Sequence, residues 1–224
     1  MTPAPSPPTR GRPLVVAIDG PAGSGKSAVS RAVAHRLGIP HVDTGAYYRA
    51  ATLAVLRAGI DPADTTKVPE VVAGAVIDRV AGRTILDGED VEEQVRGDEV
   101  TRHVSAVAAQ LWVRDALLAA QQAGLARDGG VIEGRDASTR VAPDATVKVW
   151  LDADVVERAR RRARQAGEPG RVAFHRVDLV RRDAADAGQM ARHPEAVVVD
   201  TTGMSQEEVV ATVVDLARSA AGHR

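Results

Sequence analysis

The sequence predicts an α/β protein: a five-stranded parallel sheet with helices on both faces. Three observations carry this expectation. Short β-branched runs alternate with segments of helical period, the pattern of parallel strands joined by crossover helices. The apolar run Leu14–Ile18 leads directly into Gly20-Pro-Ala-Gly-Ser-Gly25-Lys26-Ser27, a G-x-x-x-x-G-K-S loop set between a strand and a helix. A chain of 224 residues suffices for one such domain with a sizeable core and a modest insertion.

The elements follow in order along the chain. Residues 1–13 are proline-rich, lack the apolar stretch of a signal peptide and read as a disordered leader. Val15–Ile18 is the first strand. Ser27–Leu37 is a helix whose Val29, Val33 and Leu37 form one core-facing stripe. Ile39–Val42 is a second strand ending at Asp43-Thr44-Gly45, and Tyr48–Ala58 is a helix closed by Gly59. Residues 61–99 interrupt the alternation. Val68–Val80 reads as helix, followed by Arg83–Leu86 and a turn at Asp87-Gly88, so this stretch is an inserted lobe with a small β-element. The core domain is then 14–60 and 100–219. Val131–Glu133, entered through Gly129-Gly130, Thr146–Leu151 and Ala196–Asp200 are the remaining strands. Residues 158–182 are dominated by arginine and broken at Gly167-Glu-Pro-Gly170. A charge run is often only a solvated helix face, but after a buried strand beside a phosphate loop it reads as a lid. Ser205–Ser219 is the last helix, opened by the capping box Ser205-x-x-Glu208, and 220–224 is a tail.

The loop carries its chemistry in residue type. Gly20, Gly23 and Gly25 let the backbone curl so that successive N–H groups converge on polyphosphate oxygens. The next helix adds the positive end of its dipole. Lys26 sets an ammonium against the β- and γ-phosphates, and Ser27 offers a hydroxyl to Mg2+. Gly20, Pro21, Ala22, Gly23, Ser24, Gly25, Lys26, Ser27 and Ala28 are therefore the expected ATP-binding residues.

Composition narrows the partners. The formal net charge of −1 gives no electrostatic reason to expect nucleic acid or an anionic membrane. There is no cysteine, which excludes disulfides, thiolate catalysis and cysteine-bound zinc. No apolar run reaches the length of a membrane span. A cytoplasmic, soluble monomer is the expectation. The chain has no asparagine, hence no Asn-Lys-x-Asp guanine-reading motif, and no Leu-Ser-Gly-Gly signature of transport ATPases. Those absences set a nucleotide switch or motor aside.

Ligands of open α/β sheets bind beyond the carboxyl ends of the strands. Asp43-Thr-Gly-Ala-Tyr-Tyr-Arg49 follows the second strand and Glu133-Gly-Arg-Asp136 the third, each with an arginine able to fork onto a phosphate. Arg114, in Leu111-Trp-Val-Arg-Asp115, is a further candidate. Together they suggest a second anion site, for an acceptor.

With these residues in view, the sequence resembles bacterial cytidylate kinase, of the nucleoside monophosphate kinase group, over nearly all of residues 14–219. The resemblance rests on Ala17–Lys26, Asp43-Thr-Gly-Ala-x-Tyr-Arg49, Asp87-Gly-Glu-Asp-Val91, Glu99-Val100, Ser105-x-Val-Ala-Ala109 and Val113-Arg-x-Ala-Leu117. It continues through Gly134-Arg-Asp136, Pro143-Asp-Ala145, Arg182-Asp-x-x-Asp186 and Asp200-Thr-Thr-Gly203. It implies a P-loop kinase fold, ATP with Mg2+ as donor, and CMP or dCMP as acceptor. It implies that Thr44 and Asp186 hold the acceptor ribose and that Arg49 and Arg135 grip the acceptor phosphate. Arg182 would lie near the pentose and the transferring group. Ser105, Arg114 and Asp136 would read the cytosine, whose amine suits a carboxylate and whose N3 and O2 suit donors. Arg158 and Arg162 would close with the lid on the triphosphate. Lys26, Arg135, Arg182, Arg158 and Arg162 are thus the implied catalytic set. The chain departs from the family pattern at Ala137–Val141, at Gln189 where the family has arginine, and in a short loop at 187–195. A kinase of this family acting on a modified pyrimidine nucleotide or another small acceptor stays open at this point.

Overall fold

The computed structural model describes residues 13–126 and 129–222; the leader, apart from Pro13, and the end of the tail lie outside the described residues. The first half of the chain comprises β1 (Val15–Asp19), α1 (Lys26–Leu37), β2 (His41–Asp43), α2 (Thr44–Arg57) and α3 (Lys67–Gly74). It continues with β3 (Ile77–Val80), β4 (Arg83–Leu86), β5 (Glu89–Asp90), α4 (Asp98–Ala108) and α5 (Leu111–Ala126). The second half holds β6 (Gly130–Gly134), β7 (Val147–Asp152), α6 (Val155–Gln165), α7 (Val172–Asp186), β8 (Val197–Asp200) and α8 (Gln206–Gly222).

Five strands pair in the order β2-β6-β1-β7-β8, all parallel. Parallel neighbours need long crossovers, and the helices supply them while covering both faces. The alternation along each strand sorts the core into two layers. Val16, Ile18, Val131 and Val149 face α1 and α8. Ala17, Val42 and Ile132 face a second cluster built with Tyr48, Val55, Val113 and Leu117. Every strand of this sheet ends on the same side, so β1, β2, β6, β7 and β8 deliver their following loops to one rim.

Between α2 and α4 lies the lobe of α3 and the antiparallel sheet β3-β4-β5. Leu86, Val91, Val95 and Val100 close its own core on Ala50 and Leu53 of α2. The helix expected over Val68–Val80 ends at Gly74. Ile77–Val80 is a strand instead, paired with Arg83–Leu86 through a turn at Ala81-Gly82 with φ of 49° and 80°. Two positive φ values make a primed hairpin turn, and the β-branched residues beside it complete the strand.

Three further differences have local causes. The second helix starts at Thr44 rather than Tyr48, because the Asp43 carboxylate caps it by accepting from the Ala46 N–H (3.2 Å). Asp98–Ala108 and Leu111–Ala126 are helices that the strand-and-turn pattern left unassigned. The last helix extends to Gly222, with its capping box formed in both directions between Ser205 and Glu208. Among the described residues no helix is long and apolar enough to cross a membrane.

Candidate active site

The loop between β1 and α1 is fixed by close backbone approach. Gly20 has φ 151°, and a side chain there would come within 2.1 Å of the Leu151 carbonyl oxygen of β7. Only glycine fits. Lys26 opens α1 and is 8 % exposed, its ammonium donating to the Pro21 carbonyl (2.7 Å). Burial, helped by the nearby Arg135 charge, lowers its pKa to about 7, while Glu133 and Asp19 oppose the shift. A charged lysine held so unfavourably is suited to receiving a polyanion.

Ser27 faces the cleft and donates its hydroxyl to Glu133 Oε2 at 2.7 Å. Glu133, near the end of β6, is buried and its other oxygen meets His41 Nε2 at 2.9 Å. Burial works against its charge, but the hydrogen bonds from His41 and Ser27 and the Lys26 ammonium outweigh it and hold the carboxyl below its ordinary range. Mg2+ takes hard oxygen ligands and keeps several waters. A hydroxyl beside an ionised carboxylate is such a donor set, so the residues present fit the metal.

Around the loop runs a cleft of about 790 Å³ lined by residues from many separate segments of the chain, between Ala22 and Val209. Three arginines line the cleft with the loop. Arg49 of α2 donates one nitrogen to the Val95 carbonyl (2.9 Å) and to Thr101 (3.0 Å). Burial, then the Arg182 charge, pull its pKa down to about 10. Arg135 donates to Asp186 of α7 (2.9 Å) and to the Gly20 carbonyl (3.1 Å). Arg182 of α7 has its Nε buried with no hydrogen-bond partner among the described residues, and burial followed by the Arg135 charge lowers its pKa. Three cations share one cleft, and the charges of Arg135 and Arg182 lower the pKa values of their neighbours despite Asp186 beside Arg135, the electrostatics of an anion site.

The same cleft is also lined by Arg114, Asp136, Ser105 and Gln189. Arg114 is 4 % exposed, pairs with Asp136, donates to Ala108 O (3.1 Å) and Gln189 Oε1 (3.3 Å), and lies over the Tyr48 ring at 5.3 Å. Gln189, the departure from the family pattern, is therefore part of this corner. The altered stretch Ala137–Val141 forms a single π-helical turn. Its first two N–H groups, on Ala137 and Ser138, donate to the buried Asp19 carboxylate at 2.7 and 2.8 Å. The strand before the phosphate loop thus anchors the turn after Arg135 and Asp136. Burial raises the Asp19 pKa despite those bonds. Gly134 has no room for a side chain either, since a Cβ would meet the Thr44 hydroxyl at 2.7 Å. Thr44 uses that hydroxyl to bond the Glu133 carbonyl (2.7 Å).

Of the expected residues, Ala22 to Ala28, Thr44, Arg49, Ser105, Arg114, Arg135, Asp136, Arg162, Arg182 and Asp186 all line this cleft. Gly20 and Pro21 lie behind it and shape the loop. Arg158 is the misplaced one. It is buried at the base of α6, donating to Ala22 O (2.8 Å), Ala153 O (3.1 Å) and Asp183 (2.7 Å), so it props the loop from beneath and has no surface on the cleft. One turn on, Arg161 and Arg162 reach the cleft, Arg161 donating to Thr201 (2.9 Å). Sequence reasoning missed Arg161, and also Asp183, whose carboxylate accepts from Ala22 N (3.3 Å). It gave Asp19 and His41 no role, and Glu133 only a place in a charged turn. The α6–α7 hairpin sits on the loop through Ala159 and Leu179, packed against Ala22.

A parallel sheet, a phosphate loop at its switch point and arginines lining the same cleft define a P-loop kinase. A gluconokinase from Sinorhizobium meliloti shares the fold, with TM-score 0.51 at 19% identity over 95% of this chain and 97% of that one. The family model for cytidylate kinase matches residues 16–219. The chain is 45% identical to a cytidylate kinase of Mycobacterium leprae, covering 93% of this chain and 97% of the relative. A cytidylate kinase of Rhodococcus opacus is 44% identical over 88% of this chain and 91% of its own. One from Chlorobaculum tepidum is 40% identical over 93% and 94%. The chain belongs to the cytidylate kinase family.

Proposed function

We propose that this protein transfers the γ-phosphoryl group of ATP to the 5′-phosphate of CMP, and of dCMP, giving the diphosphate. The observation that carries the reading is a single cleft lined by a phosphate loop, by arginines and by an Arg114–Asp136 pair. Membership of the cytidylate kinase family supports this pair of substrates.

Each residue then has a part. The N–H groups of Gly23 to Ser27 and the Lys26 ammonium would hold the β- and γ-phosphates. Mg2+, held by Ser27 and through Glu133, would offset charge on the β- and γ-oxygens when bound with the nucleotide. Arg49 and Arg135 would grip the acceptor phosphate. Thr44 and Asp186 would hold its ribose, and Ser105, Arg114 and Asp136 its base. The acceptor oxygen is already anionic at neutral pH, so no general base is called for. Positioning and charge stabilisation by Lys26, Arg135, Arg182 and Arg162 do the chemistry. In this reading residues 61–99 are the acceptor-side lobe. The α6–α7 hairpin is the lid that excludes water and limits ATP hydrolysis. The protein would work as a cytoplasmic monomer on two small substrates, with no nucleic acid partner.

A coupled assay of ADP release over a panel of nucleoside monophosphates tests the reading. CMP and dCMP should be the best acceptors. A panel led by UMP, AMP or GMP, or one without turnover, overturns it.

A further inference from the structure

His41 lies outside every motif considered so far, yet it meets the Glu133 carboxylate that accepts from the Ser27 hydroxyl. Glu133 has two oxygens and each has one side-chain partner: Oε2 accepts from Ser27 Oγ at 2.7 Å and Oε1 meets His41 Nε2 at 2.9 Å. An ionised carboxylate only accepts, so His41 Nε2 carries the proton of that bond. The His41 side chain is 16 % exposed and that of Glu133 is 4 % exposed, so water competes little for either group.

The sheet register explains why a partner is required there. Asp43 of β2 is the direct neighbour of Glu133 on β6, and His41 lies two residues earlier on the same strand, on the same face. Two carboxylates side by side in a buried place repel, and Asp43 is already committed to capping α2 through Ala46 N. Without a donor on its far oxygen, Glu133 has every reason to turn away from Asp43 and from Ser27. The imidazole fixes which oxygen stays toward the hydroxyl.

We propose that His41 is a positioning residue for the metal-bearing end of the donor nucleotide, acting through Glu133 on the Ser27 hydroxyl. The inference rests on the reading of this cleft as a Mg2+-nucleotide site. Groups that orient a ligand from behind typically contribute about 10- to 100-fold in metal affinity. Substitution of His41 should therefore show first in metal binding rather than in nucleotide binding.

The test uses Mn2+ as the metal and ADP as the nucleotide, with the full chain and no acceptor, so it stands whether or not CMP proves to be the substrate. His41→Leu should weaken Mn2+ binding to the ADP complex, read by electron paramagnetic resonance, by about tenfold or more. Metal-free ADP affinity should stay unchanged. His41→Gln, which keeps an N–H at similar reach, should recover most of the loss. Mn2+ binding by His41→Leu at wild-type strength overturns the proposal. So does an equal loss of metal-free ADP affinity, which would make His41 merely structural. Should His41→Leu fail to fold, the imidazole nitrogen resonances of the wild type decide: an Nε2–H tautomer supports the proposal, and an Nδ1–H tautomer overturns it.

Discussion

The two walls of the cleft are built by opposite means. The phosphate loop is one uninterrupted stretch, Gly20 to Ser27, that offers mainly backbone N–H groups and one ammonium. Its shape is set by a carbonyl of the neighbouring strand pressing on Gly20. The other wall is assembled from side chains on α2, α4, α5, the turn after β6, and α7, whose sequence positions run from Thr44 to Asp186. Backbone donors recognise phosphate regardless of what it is attached to. Side chains gathered from five places can recognise a particular base. On the proposed reading, generality toward the donor is encoded locally, and selectivity for the acceptor is encoded by the fold.

The strongest way to break this contrast is to strip the loop of its one side-chain charge. Lys26→Ala should lower turnover by about a thousandfold or more, as loss of a contact to the transferring phosphates costs several kcal/mol of transition-state stabilisation. The melting temperature should not fall, because the charge is carried at a cost in the folded protein. Turnover within about tenfold of wild type, only about 1.4 kcal/mol, would remove Lys26 from the mechanism.

The acceptor wall should respond differently. Arg49 hydrogen-bonds Val95 and Thr101 and no loop residue among the described ones, so Arg49→Ala should reduce kcat/KM for CMP by about a hundredfold. Affinity for a non-hydrolysable ATP analogue should hardly change. Arg135→Ala should do the same to CMP but also disturb the analogue, because Arg135 bonds the Gly20 carbonyl. If Arg49→Ala weakens both ligands equally, the division between the walls is wrong.

Base selectivity comes next in size. Asp136 would accept the cytosine amine, whereas uracil presents an oxygen there. The mismatch costs about 1–3 kcal/mol, roughly 5- to 150-fold between CMP and UMP. Asp136→Asn should narrow that ratio, mainly by loss of CMP. An unchanged ratio would place the selectivity elsewhere.

The lowered Lys26 pKa gives a pH signature of about one proton. In the free protein the group titrates near pH 7, and a triphosphate restores its ordinary, higher value. Binding of metal-free ATP at pH 8 should take up about 0.9 proton through Lys26, by calorimetry in buffers of different ionisation enthalpy. Lys26→Met should abolish the uptake. Uptake persisting in that variant would assign the proton to another group.

The smallest effect belongs to Gln189. It steadies Arg114 with one bond of 3.3 Å, so Gln189→Ala should raise the KM for CMP only a few-fold, with kcat and the preferred base unchanged. A changed base preference would make Gln189 a reader in its own right.

What could be read from sequence follows the same division. The loop, its strand and its helix were legible because eight consecutive residues carry them. The sheet strands were legible because β-branched runs bounded by glycine and aspartate have few other uses. Ile77–Val80 misled because its apolar residues also fit a helical period, and only its pairing with β4 decides between the two. Arg158 and Arg161 share a helix, but which one faces the phosphate depends on the rotation of α6 against the loop, and no spacing states that. The bond between His41 and Glu133 spans 92 residues, and the Asp183 contact with Ala22 spans 161. Such bonds exist only once the strands and helices are in place.

The wall of Arg49, Arg135 and Arg182 has a consequence for how the protein behaves in a tube. Folding brings these cations together, and Arg182 keeps a buried nitrogen that bonds nothing among the described residues. Any small oxyanion that settles there relieves the repulsion in the folded chain and has no equivalent place in the unfolded one. Sulfate or phosphate at ten times its dissociation constant would add about 1.4 kcal/mol to stability by mass action alone. The melting temperature of this protein is therefore a property of the protein together with its salt, and comparisons between preparations hold only when the anions match.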